Sequence, residues 1–163
     1  MTFTPDAQVW PLLTDLASCL CREITDAGLP EPCFCGVLPG AQVALDYCTS
    51  CDDGRCGMAW TRLAAILPVL SETPVPRRCQ VGLVISIEAG VVRCAPMPDD
   101  DGNPPSMAEQ FEATALQMAD QAAIQRALLC CSGIEAPVLG AYQPLGPLGG
   151  CVGGSWTANF TLY

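Results

Sequence analysis

Residues 81–94, VGLVISIEAGVVRC, carry the clearest structural pattern in the sequence. An apolar side chain stands at every second position, and most of the residues between them are small or polar. The apolar set is Val81, Leu83, Ile85, Ile87, Ala89 and Val91. An alternation with period two, rich in β-branched residues, is typical of a strand that buries one face against a core. The sequence therefore predicts a strand over 81–94.

Two other stretches also predict strands. Residues 58–70, MAWTRLAAILPVL, place Trp60 and Leu63 on opposite faces. Residues 155–162, SWTANFTL, alternate apolar with polar side chains. A strand without neighbours leaves its backbone donors and acceptors unpaired, so we expect all three to share a sheet.

The first of two predicted helices covers residues 5–27. Its apolar residues recur every three or four positions, and Gly28 and Pro30 favour its end. These apolar residues are Val9, Leu12, Leu13, Leu16, Leu20 and Ile24. One face of this helix is therefore predicted to lie on the sheet.

The second predicted helix covers residues 106–130. Ser106 and Glu109 have the S-x-x-E spacing of a capping box. The apolar face is expected to consist of Met107, Phe111, Ala115, Met118 and Ala122. We expect this face to be the one that packs on the sheet.

The order of elements predicts the fold class. Helix, strands, helix and strand in one chain of 163 residues indicate a single α+β domain, residues 1–163. Its sheet is mixed or antiparallel, and the two helices pack on it. A Cys/Gly-rich segment fills 30–57, and a Gly/Pro-rich segment, 133–150, is expected to lead into the last strand.

The charge and the missing residue types exclude several functions. The chain has 7 basic residues, all arginine, against 17 acidic ones, and its net charge is −10. Such a chain repels phosphate, so direct binding to nucleic acid or anionic membranes is disfavoured. Without histidine or lysine, Ser-His-Asp triads, zincin sites, P-loops and Schiff-base chemistry are excluded. We expect a protein that is not an enzyme and has no membrane partner.

The 12 cysteines are unusually many for a chain without a recognisable secretory signal. Three interpretations stay open: a zinc site, disulfides, or buried thiols. Zinc would use the cluster Cys33, Cys35, Cys48, Cys51 and Cys56. Disulfides could join these residues to Cys79, Cys94 or Cys151, and Cys130 or Cys131 could reach Cys151. No cofactor other than zinc is indicated, and the sequence alone gives no pairing.

The CTSC motif, residues 48–51, raises the question of redox catalysis. Asp52 and Asp53 follow directly, and carboxylates raise the pKa of a nearby thiol, where a thioredoxin-type site needs it lowered. Redox catalysis is therefore disfavoured.

Three segments in this order carry a family resemblance: CGMAWTRL, GVVRCAPMPDDDGNPPS and LGAYQPLGPLGGCVGGSWTANFTL. With the long helix between them, they resemble the tail terminator proteins of long-tailed actinobacteriophages. The resemblance runs from about Cys56 to the last residues. It implies a structural virion protein of the head–tail junction, assembled in the host cytoplasm. It also implies a sixfold ring that caps the tail tube protein, joins the neck or stopper protein, and lets DNA pass through its lumen.

Two loops of opposite charge are candidates for the contact between subunits. One carries Arg77 and Arg78, and the other carries Asp99, Asp100 and Asp101. Opposite charges on different loops suit a head-to-tail contact, although both loops could simply be solvated. Trp156 and Phe160 are further interface candidates, although core packing is the default expectation for Trp156 and a contact with another subunit or the tube is its alternative.

The acidic loop is not an EF-hand. Counting from Asp99, Pro104 stands at the position that needs glycine, and Gln110 stands at the position that needs a carboxylate. Two other functions stay open beside the terminator: another neck component, such as an adaptor or stopper, and a small cysteine-rich zinc module.

Overall fold

A computed structural model of the chain describes residues 6–45, 48, 51, 54–69, 82–131 and 137–162. Within these residues it has two helices and five strands, which confirms the predicted α+β class. In chain order they are α1 (Val9–Asp26), β1 (Phe34–Val37), β2 (Met58–Pro68), β3 (Leu83–Cys94), α2 (Met107–Cys130), β4 (Val138–Leu148) and β5 (Cys151–Leu162).

The strands form one mixed sheet in the order β1-β2-β3-β5-β4. β1 runs parallel to β2, and the other neighbouring pairs are antiparallel. The strand predicted over 81–94 is β3, which lies in the middle with β2 on one side and the closing strand β5 on the other. Ile85 faces Phe160 and Ala89 faces Trp156 in this register.

Both helices cover the same face of the sheet. α1 packs mainly on β1 and β2, and α2 packs on β5 and β3. The alternate residues Ile85, Ile87, Ala89 and Val91 are buried beneath them, together with Ala158 and Phe160. The alternation read from the sequence is therefore confirmed as a single core face.

The opposite face of the sheet is covered at one end by the cysteine-rich segment. Trp60 is fully buried there with Met58 and Val92. Its indole ring lies over Gly90, where an added Cβ would come within 2.3 Å of the ring. The Trp60 Nε1 group donates to Glu88 Oε1 at 3.2 Å, so the indole packs as core and keeps a polar partner.

A buried ion pair ties the second helix to the sheet. On β3, Arg93 is 6% exposed, and on α2, Asp120 is 1% exposed. The guanidinium donates from Nε and Nη2 to the two carboxylate oxygens, at 2.9 and 2.7 Å. Its Nη1 also donates to the Pro30 carbonyl. Because the pair is bidentate and its charges are matched, both groups can lie inside the core.

Two strands differ from the sequence-based expectation. The segment predicted as a Gly/Pro-rich connection contains β4, and the Cys/Gly-rich segment contains β1. The capping box at Ser106 and Glu109 is confirmed, since Glu109 N donates to Ser106 Oγ and Ser106 N donates to Glu109 Oε2.

Candidate functional site

Strand β4 is an exposed edge without a single charged residue. It is the outermost strand on its side of the described sheet, and its sequence is VLGAYQPLGPL. Soluble monomers usually protect such an edge with charges, bulges or a covering element. Two prolines, Pro144 and Pro147, interrupt its second half, and its pairing with β5 shifts register once in each half. The strand is therefore irregular, but its edge carries no charge and offers backbone groups and the exposed Val138 side chain to a partner.

The second helix exposes the face that the sequence predicted to be buried. Met107 is 85% exposed, Phe111 is 75% exposed, and Met118 is also exposed. Ala115 lies between them on the same outer face, and Ala122 is half-buried. The helix instead buries Asp120, Ala123, Ile124, Ala127 and Leu128. The prediction for this helix face is thus wrong, and the α2 stripe (Met107, Phe111, Ala115, Met118 and Ala122) is an apolar surface open to solvent.

An apolar groove lies at the β1 edge of the sheet, the edge opposite β4. It is a cavity of about 570 Å³ beside β1, where the start of α1 meets the ends of β1 and β2. Trp10, which is 45% exposed, forms one wall. We call this cavity the β1 groove. Its other large or apolar side chains are Leu13, Val37, Leu38, Leu63 and Ala64. The residues that line it, which also include Pro39, Gly40 and Ala41, carry no charge.

The interface residues proposed from the sequence differ in their location and burial. Arg77 and Arg78 lie outside the described residues. Phe160 is fully buried in the core, so its proposed place at an interface is wrong for this fold. Trp156 is half-buried and packs on Tyr142, with ring centroids 5.8 Å apart. A partner contact through Trp156 stays a prediction.

The acidic loop is held together by its own hydrogen bonds. Asp99 Oδ1 accepts from the backbone N–H groups of Asp101 at 3.0 Å and Asn103 at 2.8 Å. Asp99 Oδ2 accepts from the Asn103 side chain at 2.9 Å. These hydrogen bonds lower the pKa of Asp99 below its ordinary value, and the bond from the Asn103 side chain has the largest effect. Asp99 therefore closes a turn before α2, whereas Asp100 and Asp101 remain exposed.

We expect the replacement Asn103→Ala to raise the pKa of Asp99 toward that of a free aspartate, because it removes the bond with the largest effect. At a pH above the ordinary pKa of aspartate, the ionised Asp99 carboxylate stabilises the turn. This stabilisation is lost as the pH falls through the lowered pKa of Asp99 in the folded protein. NMR titration of the Asp99 carboxyl in both proteins measures the effect. An Asp99 midpoint that is equal in both would show that the turn does not hold the carboxylate.

Ten cysteines form five disulfides in the described residues. They are Cys19–Cys131, Cys21–Cys35, Cys33–Cys51, Cys48–Cys151 and Cys56–Cys94. Cys130 is exposed and takes part in none of them, and Cys79 lies outside the described residues. Of the three open interpretations the structure supports disulfides. The proposed link from Cys131 to Cys151 is wrong, since these two residues pair with Cys19 and Cys48.

The cysteine cluster proposed for zinc is divided among the disulfides. Cys33 and Cys51 pair with each other, whereas Cys35, Cys48 and Cys56 each pair with a cysteine outside the cluster. The five sulfurs therefore do not surround one ion in this structure.

Another group, Cys19, Glu23 and Cys131, has potential ligand atoms within 4.8 Å of one another, but Cys19 and Cys131 are joined in a disulfide and so offer no thiolate. The guanidinium of Arg22 donates to Cys19 Sγ at 3.4 Å, and that of Arg126 donates to Glu23 at 2.7 Å. The positive charges of these two guanidinium groups oppose the binding of a metal ion here.

Comparison with models of known families finds no match, and comparison with curated proteins finds none either. Among the described residues, neither helix combines the length and hydropathy needed to span a bilayer. Three surfaces of the domain are candidates for binding a partner: the uncharged edge strand β4, the apolar stripe on α2, and the apolar groove at the β1 edge of the sheet.

Proposed function

We propose that this protein is a structural subunit that joins copies of itself head to tail into a closed ring, and that the ring is a phage tail terminator. In that role it caps the tail tube, presents its other side to the neck, and lets DNA pass through the lumen. The three segments that resemble tail terminators fall on connected elements. They cover the start of β2, the path from β3 to the cap of α2, and the β4–β5 hairpin.

The observation that carries this proposal is the uncharged edge strand β4 in a chain of net charge −10. Copies of so acidic a chain repel one another over most of their surfaces. They can meet most readily where charge is absent, and an exposed strand edge supplies both neutrality and unpaired backbone groups. The β1 edge lies at the opposite end of the sheet. Contact between two different edges is heterologous, and such contacts generate rings when the rotation closes.

The charge also suits the proposed lumen. DNA slides through a channel that does not bind phosphate, and an acidic wall has no affinity for the DNA backbone. The chain has only 7 basic residues. In the described residues four of them form ion pairs with acidic side chains: Arg55 with Glu31, Arg62 with Glu88, Arg93 with Asp120, and Arg126 with Glu23.

The disulfides agree with a particle that leaves the reducing cytoplasm. Disulfides persist in oxidising surroundings, which include virion surfaces. A zinc module uses its cysteines as thiolates, and the cysteines expected to serve that purpose are paired here. This favours a virion component over the zinc-binding alternative. An adaptor or stopper of the neck would share these properties, so the test must distinguish the tube from the neck.

The proposal is tested by polymerising the tail tube protein in vitro with and without this protein and measuring tube lengths by electron microscopy. We expect shorter tubes with a cap at one end. The variant Val138→Lys, which places a charge on the β4 edge, should fail to cap. The matched control Met97→Lys, at a residue that is 66% exposed outside β4, should cap normally. Uncapped tubes of unchanged length would contradict the proposal, and binding to the neck proteins instead would support an adaptor or stopper.

A further inference from the structure

The disulfide that joins the two helices has an arginine beside its sulfurs. Among the five described disulfides, Cys19–Cys131 alone connects α1 with the end of α2. The Arg22 guanidinium donates from Nη2 to Cys19 Sγ at 3.4 Å and to Cys131 Sγ at 3.9 Å. A cation beside a sulfur stabilises the thiolate that forms when an S–S bond breaks. This bond therefore has a built-in stabiliser for one product of its own cleavage.

The two sulfurs of this bond differ in access and in electrostatic surroundings. Cys19 is 1% exposed, whereas Cys131 is half-buried, so an incoming thiol reaches Cys131 more easily. Cys131 also follows the last residue of α2, and the dipole at the carboxyl end of a helix disfavours an anion. Cys19 lies within α1 and has the shorter contact with Arg22. Both differences predict attack at Cys131 and departure of Cys19 as the thiolate.

We propose that Cys19–Cys131 is a site of thiol–disulfide exchange, and that its substrates are low-molecular-weight thiols. The incoming thiolate forms a bond to Cys131 Sγ, and the electron pair of the broken S–S bond goes to Cys19 Sγ. A second thiolate then attacks the sulfur of the first in the mixed disulfide and releases Cys131. The protons that the two external thiols lose are taken up by Cys19 and Cys131. Two external thiols thus become one external disulfide, and one protein disulfide becomes two thiols.

The nearby carboxylate does not cancel the effect of Arg22. A Glu23 oxygen lies within 4.8 Å of both sulfurs, and its negative charge opposes a thiolate there. This carboxylate accepts a hydrogen bond from Arg126 Nε at 2.7 Å, so its charge has a partner of its own. Two guanidinium groups therefore accompany one carboxylate around this disulfide, in a chain whose net charge is −10.

The exposed thiol next to the site is not its nucleophile. Cys130 belongs to none of the five disulfides and directly precedes Cys131. Consecutive Cα atoms are about 3.8 Å apart, whereas the Cα atoms of a disulfide are usually at least about 4.4 Å apart. A bond between Cys130 and Cys131 is therefore disfavoured, and the attacking thiol comes from outside the chain.

The exchange makes the covalent link between the helices depend on the surroundings. The link opens in a solution rich in thiols and closes again in an oxidising one. Cys48–Cys151 provides the comparison within the same molecule, because its two residues are only 5% and 1% exposed. The exchange goes beyond the proposed function and does not depend on a ring.

The test treats the full oxidised chain with glutathione. Free thiols, including Cys130, are first blocked with iodoacetamide. Thiols that glutathione then releases are trapped with N-ethylmaleimide, and peptide mass spectrometry locates both the maleimide and the glutathione. We expect Cys19–Cys131 to open while Cys48–Cys151 stays intact. At early times glutathione should be on Cys131 and maleimide on Cys19.

Two variants at one exposed position test the role of the guanidinium. Arg22→Gln removes the positive charge, and Arg22→Lys keeps it. Circular dichroism checks that both are folded. We expect Arg22→Gln to slow the opening of Cys19–Cys131 about three- to tenfold, because the departing thiolate loses its cation. Arg22→Lys should retain most of the wild-type rate.

Four results would overturn the inference. Glutathione on Cys19 would show that the direction of attack is reversed. Earlier opening of Cys48–Cys151 would show that the exchange site is elsewhere. An Arg22→Gln protein that opens as fast as the wild type would show that the guanidinium has no part in the reaction. In a sample that is not alkylated, a new Cys19–Cys130 link would show that the nucleophile is the chain's own thiol.

Discussion

Reduction of the disulfides is expected to lower the midpoint of thermal unfolding by about 20 °C or more. Cys19–Cys131 and Cys48–Cys151 link residues separated by 112 and 103 positions. In chain-entropy terms each link of this length removes between about 4 and 5 kcal/mol of unfolded-state freedom. Typical domains are stable by only about 5–15 kcal/mol, so loss of both is a large fraction of the total. Calorimetry with and without a phosphine reductant measures the shift.

The variant Cys130→Ser is the control for that experiment. Cys130 is exposed and belongs to none of the five disulfides, so its replacement should leave the midpoint of the oxidised protein unchanged. Thiol titration of the reduced sample should account for all 12 cysteines. A fully reduced protein with the midpoint of the oxidised one would show that the links do not stabilise the fold.

The replacement Asp120→Asn is expected to cost about 3–5 kcal/mol in the free energy of unfolding. It removes the negative charge opposite the buried Arg93 guanidinium, which is then left inside the core without its counter-charge. The double variant Arg93→Met with Asp120→Leu removes both charges and should cost much less than the single change. Urea unfolding of both variants gives the two values.

An exposed ion pair between the two helices provides the comparison. Arg126 donates to Glu23 at 2.7 Å, with side-chain exposures of 45% and 21%. Because water screens this pair, Glu23→Gln should cost no more than about 1 kcal/mol. If Asp120→Asn lowered the free energy of unfolding no more than Glu23→Gln, the Arg93–Asp120 pair would not stabilise the packing of α2 on the sheet.

The sequence predicted the centre of the fold because alternation is a strong local signal. The strands that contain Ile87 and Ala158 were predicted from their alternation, because one face of each is apolar and the other is small or polar. The β4 strand escaped prediction because Gly140, Pro144 and Pro147 read as a connection. An edge strand tolerates these residues, since only one of its sides must pair.

The face of α2 was misread for a physical reason. This helix is apolar on two sides, so its period alone does not tell which side meets the sheet. The buried side contains Asp120, which is a polar residue by sequence and is acceptable in the core only because Arg93 lies opposite. That pairing spans 27 residues and has no local signature. The disulfides have the same character, since cysteine spacing does not specify partners more than 100 residues away.

Closure of copies of this domain into a ring can be measured by native mass spectrometry of the oxidised protein, alone and after addition of the tail tube protein. We expect one closed oligomer of defined subunit number, formed by the free protein or on the tube. A protein that stays monomeric under both conditions would contradict it.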